Sequence, residues 1–254
     1  MNILYRGKYT PKSKELFDYI SENYPKFISE ENPDLILVAG GDGTMLSSIQ
    51  RFKDLNVPFF GIGLGTLNFL MNDIENIKSF LKNLEKFHFD VVEARTMKVD
   101  VVRNNESVFS SFATNEIMLG NGIMDYHHFV VNSTDHTFNN TIVNGQSIIV
   151  STSIGSTAIS YNNDMQVIPS LNLDLLAFST VLANKSEEIK KFIRASQDIE
   201  IKINTEREEC LLFIDGKANI FQLERNDRVI LSKGEHIQFA FINYDEFELK
   251  RLSF

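Results

Sequence analysis

Apolar residues in the first 90 positions are spaced as in strands that alternate with helices. Short continuous apolar runs, typical of buried parallel strands, stand at 2–5, 34–38 and 57–62. Apolar residues at helical spacing follow each run, at 16–24, 44–52 and 74–84. This regular alternation predicts a parallel, Rossmann-like sheet that is covered by helices.

Beyond about residue 90 the apolar residues recur mainly at every second position. This spacing is typical of strands with one buried face, and it stands at 97–101, 199–203 and 237–241. One interval at 173–183, with a charged continuation at 185–191, predicts a helix. We therefore predict an α/β domain over residues 1–90 and a β-rich domain over 91–254. This division leaves open whether the C-terminal segment returns to the first domain.

Composition and charge narrow the class of protein. The chain has 254 residues, of which 43% are hydrophobic and 23% charged, as in ordinary globular proteins. A single cysteine excludes a disulfide framework and favours the reducing cytoplasm. A net charge of −9 argues against a nucleic-acid surface. The start of the chain lacks a signal-peptide pattern, and no apolar stretch is long enough to predict a membrane helix.

Six of the 13 glycines stand at positions 40–65, in two clusters that each follow a predicted strand. The first cluster is Gly40-Gly41-Asp42-Gly43-Thr44, where the chain leaves a strand and enters a helix. Glycines there let backbone N–H groups and a helix N-terminus approach a phosphate. By itself the second cluster, at 61–65, fits a crossover turn. Together the clusters mark the carboxyl ends of neighbouring strands, where open α/β sheets bind ligands.

Asp42 is an unexpected residue beside a phosphate, because its charge repels one. A carboxylate at this position either holds a metal ion or accepts a proton from an attacking hydroxyl. The alternative is a tight turn in which Asp42 caps the following helix. The residues alone leave both interpretations open.

Two polar motifs stand in the β-rich half. Asn115 and Glu116 are neighbours in a strand pattern, and such neighbours share a ligand only at a bend or at a strand end. Small hydroxyl residues crowd positions 151–157 after an apolar run, and they bring backbone and hydroxyl groups close to a flat ligand. The alternatives are a half-exposed polar pair and an ordinary Ser/Thr turn.

The histidines and the cysteine show no comparable pattern. His127, His128 and His136 lack the spacing of metal ligands, so we predict no metal site formed by them. Cys210 lies in an apolar strand pattern, and we expect it to be buried and unreactive.

Taken in chain order, the polar motifs resemble those of the NAD kinase family. The resemblance is carried by GGDGT at 40–44, the loop at 61–69, Asn115-Glu116, VSTSIGSTA at 150–158 and Ile214-Asp215-Gly216. It covers residues 34–216. It implies an α/β N-terminal domain, a β-rich C-terminal domain, and phosphoryl transfer from ATP to the 2′-hydroxyl of the adenine ribose of NAD, which gives NADP.

The resemblance also implies roles for individual residues. Asp42 matches the catalytic acid/base of the family, and Asn115 with Glu116 matches the pair that grips NAD. The residues implied to bind the substrates are Gly40, Gly41, Gly43, Thr44, Phe69, Asn115, Glu116, Gln146, Thr157, Ala158, Ser160 and Asn162. Further implications are Mg²⁺ with ATP and a cytoplasmic homo-oligomer, either a dimer or a tetramer.

The sequence departs from the family pattern on the substrate side. Gln146 replaces an aspartate and Ile159 replaces a tyrosine. Ser153 stands in place of a proline, and Ile154 stands in place of a second hydroxyl residue. In the glycine loop, Gly63 stands where the family has an asparagine, and Asn68 stands where it has a glycine. Loss of an aromatic stacking surface costs about 0.5–1.5 kcal/mol beyond simple burial. These departures predict weakened binding of the dinucleotide.

Two rival functions share parts of the pattern. Lipid kinases of the diacylglycerol or sphingosine type have the GGDGT loop, but Asn115-Glu116 and the stretch at 150–158 favour NAD. A catalytically weak nucleotide-binding sensor would use the same residues with the changes at Gln146 and Ile159. Retention of Asp42 argues against a sensor, because a pure binder gains nothing from a carboxylate beside a phosphate.

Overall fold

In a computed structural model, the chain divides into two units. One unit comprises residues 1–94 and 237–254, and the other comprises residues 95–236. The structure describes residues 1–7, 10–65, 68–121, 125–184, 187–205, 209–216 and 219–253. Within these ranges, no helix combines the length and the apolar character needed to cross a membrane.

Strands account for most of the regular structure. In chain order the strands are β1 (Ile3–Arg6), β2 (Leu35–Gly40), β3 (Phe59–Gly63), β4 (Asp90–Arg103), β5 (Glu106–Ala113), β6 (Glu116–Gly120), β7 (His127–Ser133), β8 (Thr141–Gly145), β9 (Ser147–Ser151), β10 (Leu175–Val181), β11 (Lys190–Arg194), β12 (Ile199–Ile203), β13 (Cys210–Ile214), β14 (Asn219–Leu223) and β15 (Arg228–Phe241). The α-helices are α1 (Pro11–Asn23), α2 (Asp42–Phe52), α3 (Ile77–Lys82), α4 (Ile159–Asn162) and α5 (Tyr244–Leu252).

A parallel sheet forms the centre of the first unit. β1 pairs with β2, β2 pairs with β3, and β3 pairs with the end of β15 through Phe59 and Phe239. Every residue of β2 is buried, as its apolar run predicts for a central strand with helices on both faces. The predicted α/β domain with a parallel sheet is confirmed.

Helix α1 shows how the sequence starts a helix on this sheet. The Thr10 side chain accepts from the backbone N–H of Ser13 at 3.2 Å, and the Ser13 hydroxyl accepts from the N–H of Thr10 at 3.1 Å. This reciprocal capping satisfies two backbone donors at the helix start. Leu16 and Ile20, four residues apart, then bury the same face of α1 in the core of the unit.

Antiparallel strands form the second unit. One sheet has the order β11-β10-β9-β6-β13-β14, while β12 pairs with both β7 and β15. In β12, Ile199, Ile201 and Ile203 are buried between the half-buried Glu200 and Lys202. Their side chains join the apolar core of the unit, as the period of two predicts. The predicted β-rich C-terminal domain is confirmed.

The helix predicted at 173–183 is wrong. This segment forms β10, a strand paired with β9 on one side and β11 on the other. Residues 176–180 of β10 are all buried, so both faces of the strand carry apolar or small side chains. Such a run has no period of two, and periodicity alone does not distinguish it from a buried helix. Of the predicted charged continuation at 185–191, residues 185 and 186 lie outside the described residues, and 190–191 begin β11.

Candidate active site

The first glycine cluster lies where β2 ends and α2 begins. Gly40 is the last residue of β2, Gly41 is the N-cap of α2, and Asp42 is its first residue. A Cβ on Gly40 would lie 2.5 Å from Thr44 Oγ1, so glycine is needed there for packing. Apart from chain neighbours and the backbone of α2 itself, the described residues place no atom within 4 Å of a Cβ position on Gly41 or Gly43. The open space leaves the N-terminus of α2 accessible to an anion.

The Asp42 carboxylate does not cap its helix. The N-cap is Gly41, which has no side chain to accept a hydrogen bond, so the alternative of Asp42 as a helix cap is wrong. Asp42 instead accepts from two consecutive backbone amides, Phe69 N to Oδ2 at 3.0 Å and Leu70 N to Oδ1 at 2.9 Å. These two bonds fix the orientation of the carboxylate at the start of α2.

The surroundings of Asp42 favour proton acceptance. Burial raises the pKa of this carboxyl group above its ordinary value, and it outweighs the opposing effects of the two amides and of Lys250 and Arg251. A carboxylate with a raised pKa accepts a proton more readily near neutral pH than an exposed aspartate does. The geometry therefore suits a general base at this loop.

Close packing explains the second glycine cluster. A Cβ on Gly61 would lie 2.6 Å from Met71 Sδ, and a Cβ on Gly63 would lie 2.6 Å from Asn68 Nδ2. Asn68 Nδ2 in turn donates to the Gly65 carbonyl at 3.1 Å. The Asn68 side chain thus occupies the space beside Gly63, so these two departures from the family pattern compensate each other. Residues 66 and 67 of the predicted loop lie outside the described residues.

We expect Gly63→Ala to lower the free energy of unfolding by about 1–3 kcal/mol, because the new methyl group overpacks against Asn68. Combining it with Asn68→Ala should cost less than the sum of the single changes, since the clash is then removed. Chemical denaturation of the two single variants and the double variant measures this coupling. Gly43→Ala is the control, with open space at its Cβ position; additive losses would contradict the packing of Asn68 on Gly63.

Asn115 and Glu116 lie at the start of a strand. Asn115 stands between the end of β5 at Ala113 and the start of β6 at Glu116, which meets the condition for neighbouring side chains to share a ligand. The two residues are only about 9% and 8% exposed. The alternative of a half-exposed polar pair is therefore wrong.

Asp215 holds the backbone of this segment. Its Oδ2 accepts from Thr114 N at 3.0 Å, and its Oδ1 accepts from Asn115 N at 2.7 Å and Glu116 N at 3.3 Å. Asp215 follows β13 with a φ of 48°, a left-handed conformation that aspartate tolerates at turns. The sequence marks Asp215-Gly216 only as a strand end, whereas in the fold the Asp215 carboxylate fixes the position of Asn115 and Glu116.

Buried acceptors distinguish this pair. Asn115 Oδ1 and Glu116 Oε2 are buried and accept no hydrogen bond from the described residues. Burial, followed by the nearby Asp215 charge, raises the pKa of Glu116 to about 7, while the Gly216 amide partly opposes the rise. Buried acceptors without donors are costly in a folded protein, so the pair suits a ligand that supplies hydroxyl donors.

The hydroxyl-rich stretch packs against the same pair. Thr152 Oγ1 donates to the Thr114 carbonyl at 2.5 Å, and the Thr152 N–H donates to the Asn115 carbonyl at 2.8 Å. A Cβ on Gly155 would collide with the Asn115 carbonyl, so the turn that follows β9 requires glycine there. The structure thus brings together the two polar motifs of the β-rich half.

The remaining predicted binding residues differ in exposure. Thr157 and Ala158 are half-buried, and Asn162 is exposed on α4. Ser160 is fully buried, with its hydroxyl against that of Ser151. Gln146 is half-buried between β8 and β9, and its N–H donates to the Val181 carbonyl.

His127 and Cys210 are buried residues of the β-rich unit. His127 begins β7, where burial lowers its pKa and therefore favours the neutral imidazole. Cys210 begins β13, and burial raises the pKa of its thiol to about 12. The prediction that Cys210 is buried is confirmed. Among the described residues, no group of three His, Cys, Asp or Glu side chains is placed to hold a metal ion.

Comparison with known proteins is consistent with this geometry. The chain is 28% identical over 257 residues to an NAD kinase of Clostridium beijerinckii, a match that covers 97% of this chain and 86% of the relative. In fold, it is similar to yeast NADH kinase in complex with NADH, with a TM-score of 0.81 and 17% identity, covering all of this chain and 86% of the other. It is also similar to an NAD kinase from Archaeoglobus fulgidus in complex with ATP, with a TM-score of 0.74 and 18% identity, covering 100% and 99% of the two chains.

The family assignment rests on matches along nearly the whole chain. The ATP-NAD kinase N-terminal domain matches residues 6–90, and the ATP-NAD kinase C-terminal domain matches residues 91–244. The resemblance predicted from the ordered motifs is therefore confirmed, and the chain belongs to the ATP-NAD kinase family.

Proposed function

We propose that this chain transfers a phosphoryl group from ATP to the 2′-hydroxyl of the adenine ribose of NAD, giving NADP, with Asp42 as the base. The observation that carries the proposal is the Asp42 carboxylate, held by the Phe69 and Leu70 amides at the open start of α2. Phosphoryl transfer requires alignment, charge neutralisation and a group that orients or deprotonates the attacking hydroxyl. Asp42 supplies the last of these.

The start of α2 binds the phosphates of ATP in this proposal. Gly40, Gly41, Gly43 and Thr44 form the loop, and the open space at Gly41 and Gly43 supports a close approach of phosphate oxygens. Backbone N–H groups in the first turn of a helix generally lack intrahelical partners, so a phosphate oxygen satisfies them. In α2 the Thr44 N–H already donates to the Gly41 carbonyl at 2.9 Å, so the proposed phosphate contacts fall on the amides before it. Phe69 contributes through its amide, which orients Asp42.

Asn115 and Glu116 bind NAD in this proposal. Asn115 Oδ1 and Glu116 Oε2 accept no hydrogen bond from the described residues, and the hydroxyl groups of a ribose are suitable donors. The other proposed NAD contacts, carried over from the family pattern, are Gln146, Thr157, Ala158, Ser160 and Asn162.

ATP is proposed to enter as its Mg²⁺ complex. Mg²⁺ typically keeps several waters and binds through one or two carboxylates together with substrate phosphates. Asp42 is assigned as the base, and the described residues hold no group of three metal-binding side chains. The ion is therefore proposed to arrive on the nucleotide. When bound, the ion neutralises phosphate charge.

The formation of NADP tests the proposed reaction directly. Purified protein is incubated with ATP, Mg²⁺ and NAD, and NADP is measured with an NADP-specific dehydrogenase. Both matching domains are those of ATP-NAD kinases, so the lipid-kinase alternative has no support. Tight binding of NAD and ATP without NADP formation would instead favour the sensor.

We further propose a cytoplasmic homo-oligomer, a dimer or a tetramer. The buried thiol of Cys210 fits a reducing compartment. Exposed apolar side chains in the β-rich unit, Ile142 at 59% and Leu182 at 62%, offer surface for self-association. Light scattering during gel filtration measures the number of subunits.

Restoring the residues of the family pattern at positions 146 and 159 should increase the affinity for NAD. Ile159 is 37% exposed, so a larger ring at this position has room. Ile159→Tyr should tighten NAD binding up to about tenfold by adding a stacking surface, and Gln146→Asp should tighten it through a charge-assisted hydrogen bond. Calorimetry on the single and double variants measures the affinity. Ile220→Tyr, at a site that is 50% exposed on β14, is the control. Folded variants without tighter binding would show that residues 146 and 159 do not contact NAD.

A further inference from the structure

The last helix of the chain contacts the segment that holds Asp42. Lys250 of α5 donates from Nζ to the backbone carbonyl of Asn68 at 3.2 Å and to Asp73 Oδ2 at 2.7 Å. Asn68 directly precedes the two residues whose amides bind Asp42. A lysine 182 positions away in sequence therefore fixes the backbone beside the proposed base.

A buried amide anchors the other end of this segment. Asn72 is 7% exposed, and its Nδ2 donates to the Gly61 carbonyl at 3.1 Å and the Ala240 carbonyl at 3.2 Å. Its Oδ1 accepts from Ile242 N at 2.9 Å. Segment 68–72 is thus fixed at one end by a buried network and at the other by Lys250, whose side chain is 36% exposed.

The ion pair with Asp73 does not account for this placement of Lys250. The Asp73 side chain is 65% exposed, and ion pairs with such exposure contribute little to stability. The other partner of Lys250, the Asn68 carbonyl, belongs to the backbone next to the Phe69 and Leu70 amides that bind Asp42. Lys250 and the buried Arg251 are also the cations that act electrostatically on the Asp42 carboxylate.

We infer that Lys250 is a positioning residue for the reaction proposed above: by holding the Asn68 carbonyl, it places the Phe69 and Leu70 amides that orient Asp42. This inference rests on the proposed function. Lys250 acts through the backbone of segment 68–72, and its effect therefore falls on turnover more than on substrate binding.

Lys250→Met removes the donor and the charge while it keeps the apolar stem. Without the Lys250 bond to the Asn68 carbonyl, we expect the backbone amide hydrogens of Phe69 and Leu70 to exchange with solvent about threefold to tenfold faster. We expect kcat to fall about tenfold with little change in KM for ATP and NAD, as for an interaction made in the transition state. Since Lys250 and Arg251 are the cations acting on Asp42, loss of one should also move the acid limb of the kcat profile to higher pH.

Three variants separate positioning from general destabilisation. Lys250→Arg keeps a charged donor and should restore both the exchange rate and kcat. Asp73→Asn removes only the surface ion pair and should match the wild type. Lys98→Met makes the same substitution at a lysine that is 52% exposed and paired with Asp100; it should change neither readout.

The outcomes distinguish this inference from the proposed function. Wild-type exchange at Phe69 and Leu70 in Lys250→Met would overturn the inference, even if Asp42 proves essential. A loss of kcat in Asp73→Asn equal to that in Lys250→Met would assign the effect to the ion pair and also overturn it. Full turnover in an Asp42 variant would instead reject Asp42 as the base. The exchange rates of the Phe69 and Leu70 amides in Lys250→Met would still test the contact between Lys250 and Asn68. If Lys250→Met fails to fold, Lys250→Gln, which keeps a neutral donor, supplies the same measurement.

Discussion

Replacing Asp42 with asparagine should lower the turnover of NAD to NADP by about 10²–10⁴-fold, because a general base typically contributes that much. Asparagine keeps the shape of the side chain and can still accept from one of the two amides. Its NH₂ group cannot accept from the other, so the variant loses one of the two hydrogen bonds that orient the side chain. Binding of ATP should persist, since removal of the carboxylate relieves its repulsion with the phosphates.

Kinetics and calorimetry together check the Asp42 prediction. The rate of NADP formation at saturating substrates measures turnover, and titration with ATP in the absence of NAD measures binding. Asp73→Asn is the matched control, because it makes the same substitution near the loop at a side chain that is 65% exposed. If Asp42→Asn kept more than a tenth of wild-type turnover, Asp42 would not be the base.

Local patterns in the sequence were sufficient to predict the strand-to-helix turn at the first glycine cluster. The apolar run of β2 ends at Gly40, as expected, and helix α2 starts at Asp42, two residues before the predicted helical segment at 44–52. The partners of Asp42 were not predictable, because Phe69 and Leu70 lie 27 and 28 positions away. Such contacts arise from the tertiary fold and leave no periodic signal in the chain. Only the glycines indicated that the two loops belong to one edge of the sheet.

The same limit applies to the residues around Glu116. Asp215 is 99 positions from Glu116, and the sequence marked it only as part of an Asp-Gly pair at a strand end. Helix α5 was not predicted from the sequence, and a single lysine in this segment carries no signal that distinguishes it from any other. Strand β10 was predicted as a helix for a local reason. A strand buried on both faces lacks the alternation of apolar and polar residues that identifies strands elsewhere in the chain.

The compensating pair of Gly63 and Asn68 shows what the structure adds to a motif comparison. Each residue alone departs from the family pattern. In the fold, the Asn68 side chain occupies the space that the missing side chain of Gly63 leaves. The departures are therefore one coupled change, and they do not by themselves argue against the proposed activity.

The protonation of Glu116 should control NAD binding. With a pKa of about 7, the buried carboxyl group is about half protonated at neutral pH. Ribose hydroxyls donate to the ionised form, so we expect NAD affinity to rise as pH increases through about 7. Below that pH, binding should release a proton. Calorimetry in buffers with different ionisation enthalpies measures the number of protons released.

Glu116→Gln should therefore raise KM for NAD far more than KM for ATP, and it should remove the pH dependence of NAD binding.

The same substitution should increase the stability of the fold, although it weakens NAD binding. Because folding raises the Glu116 pKa from 4.5 to about 7, this group stabilises the fold below pH 4.5, and that contribution is lost as pH rises to about 7. Glutamine carries no charge to bury beside Asp215, so the variant should exceed the wild type by about 3 kcal/mol at pH 8 and match it at pH 4.5.

Denaturation at the two pH values and steady-state kinetics with each substrate measure these effects. Glu106→Gln, at an exposed position of β5, is the control and should change neither stability nor KM. Equal rises in KM for NAD and ATP would indicate that Glu116 supports the fold of the site and does not bind the acceptor. NAD affinity that stays constant from pH 6 to 8 would show that the carboxylate does not receive a hydrogen bond from the dinucleotide. If Glu116 is a buried, partly protonated acceptor, Glu116→Gln should gain stability and lose affinity for NAD alone. The reason is that burying the charge of Glu116 costs free energy, and this cost is recovered only when the ribose donates a hydrogen bond to the carboxylate.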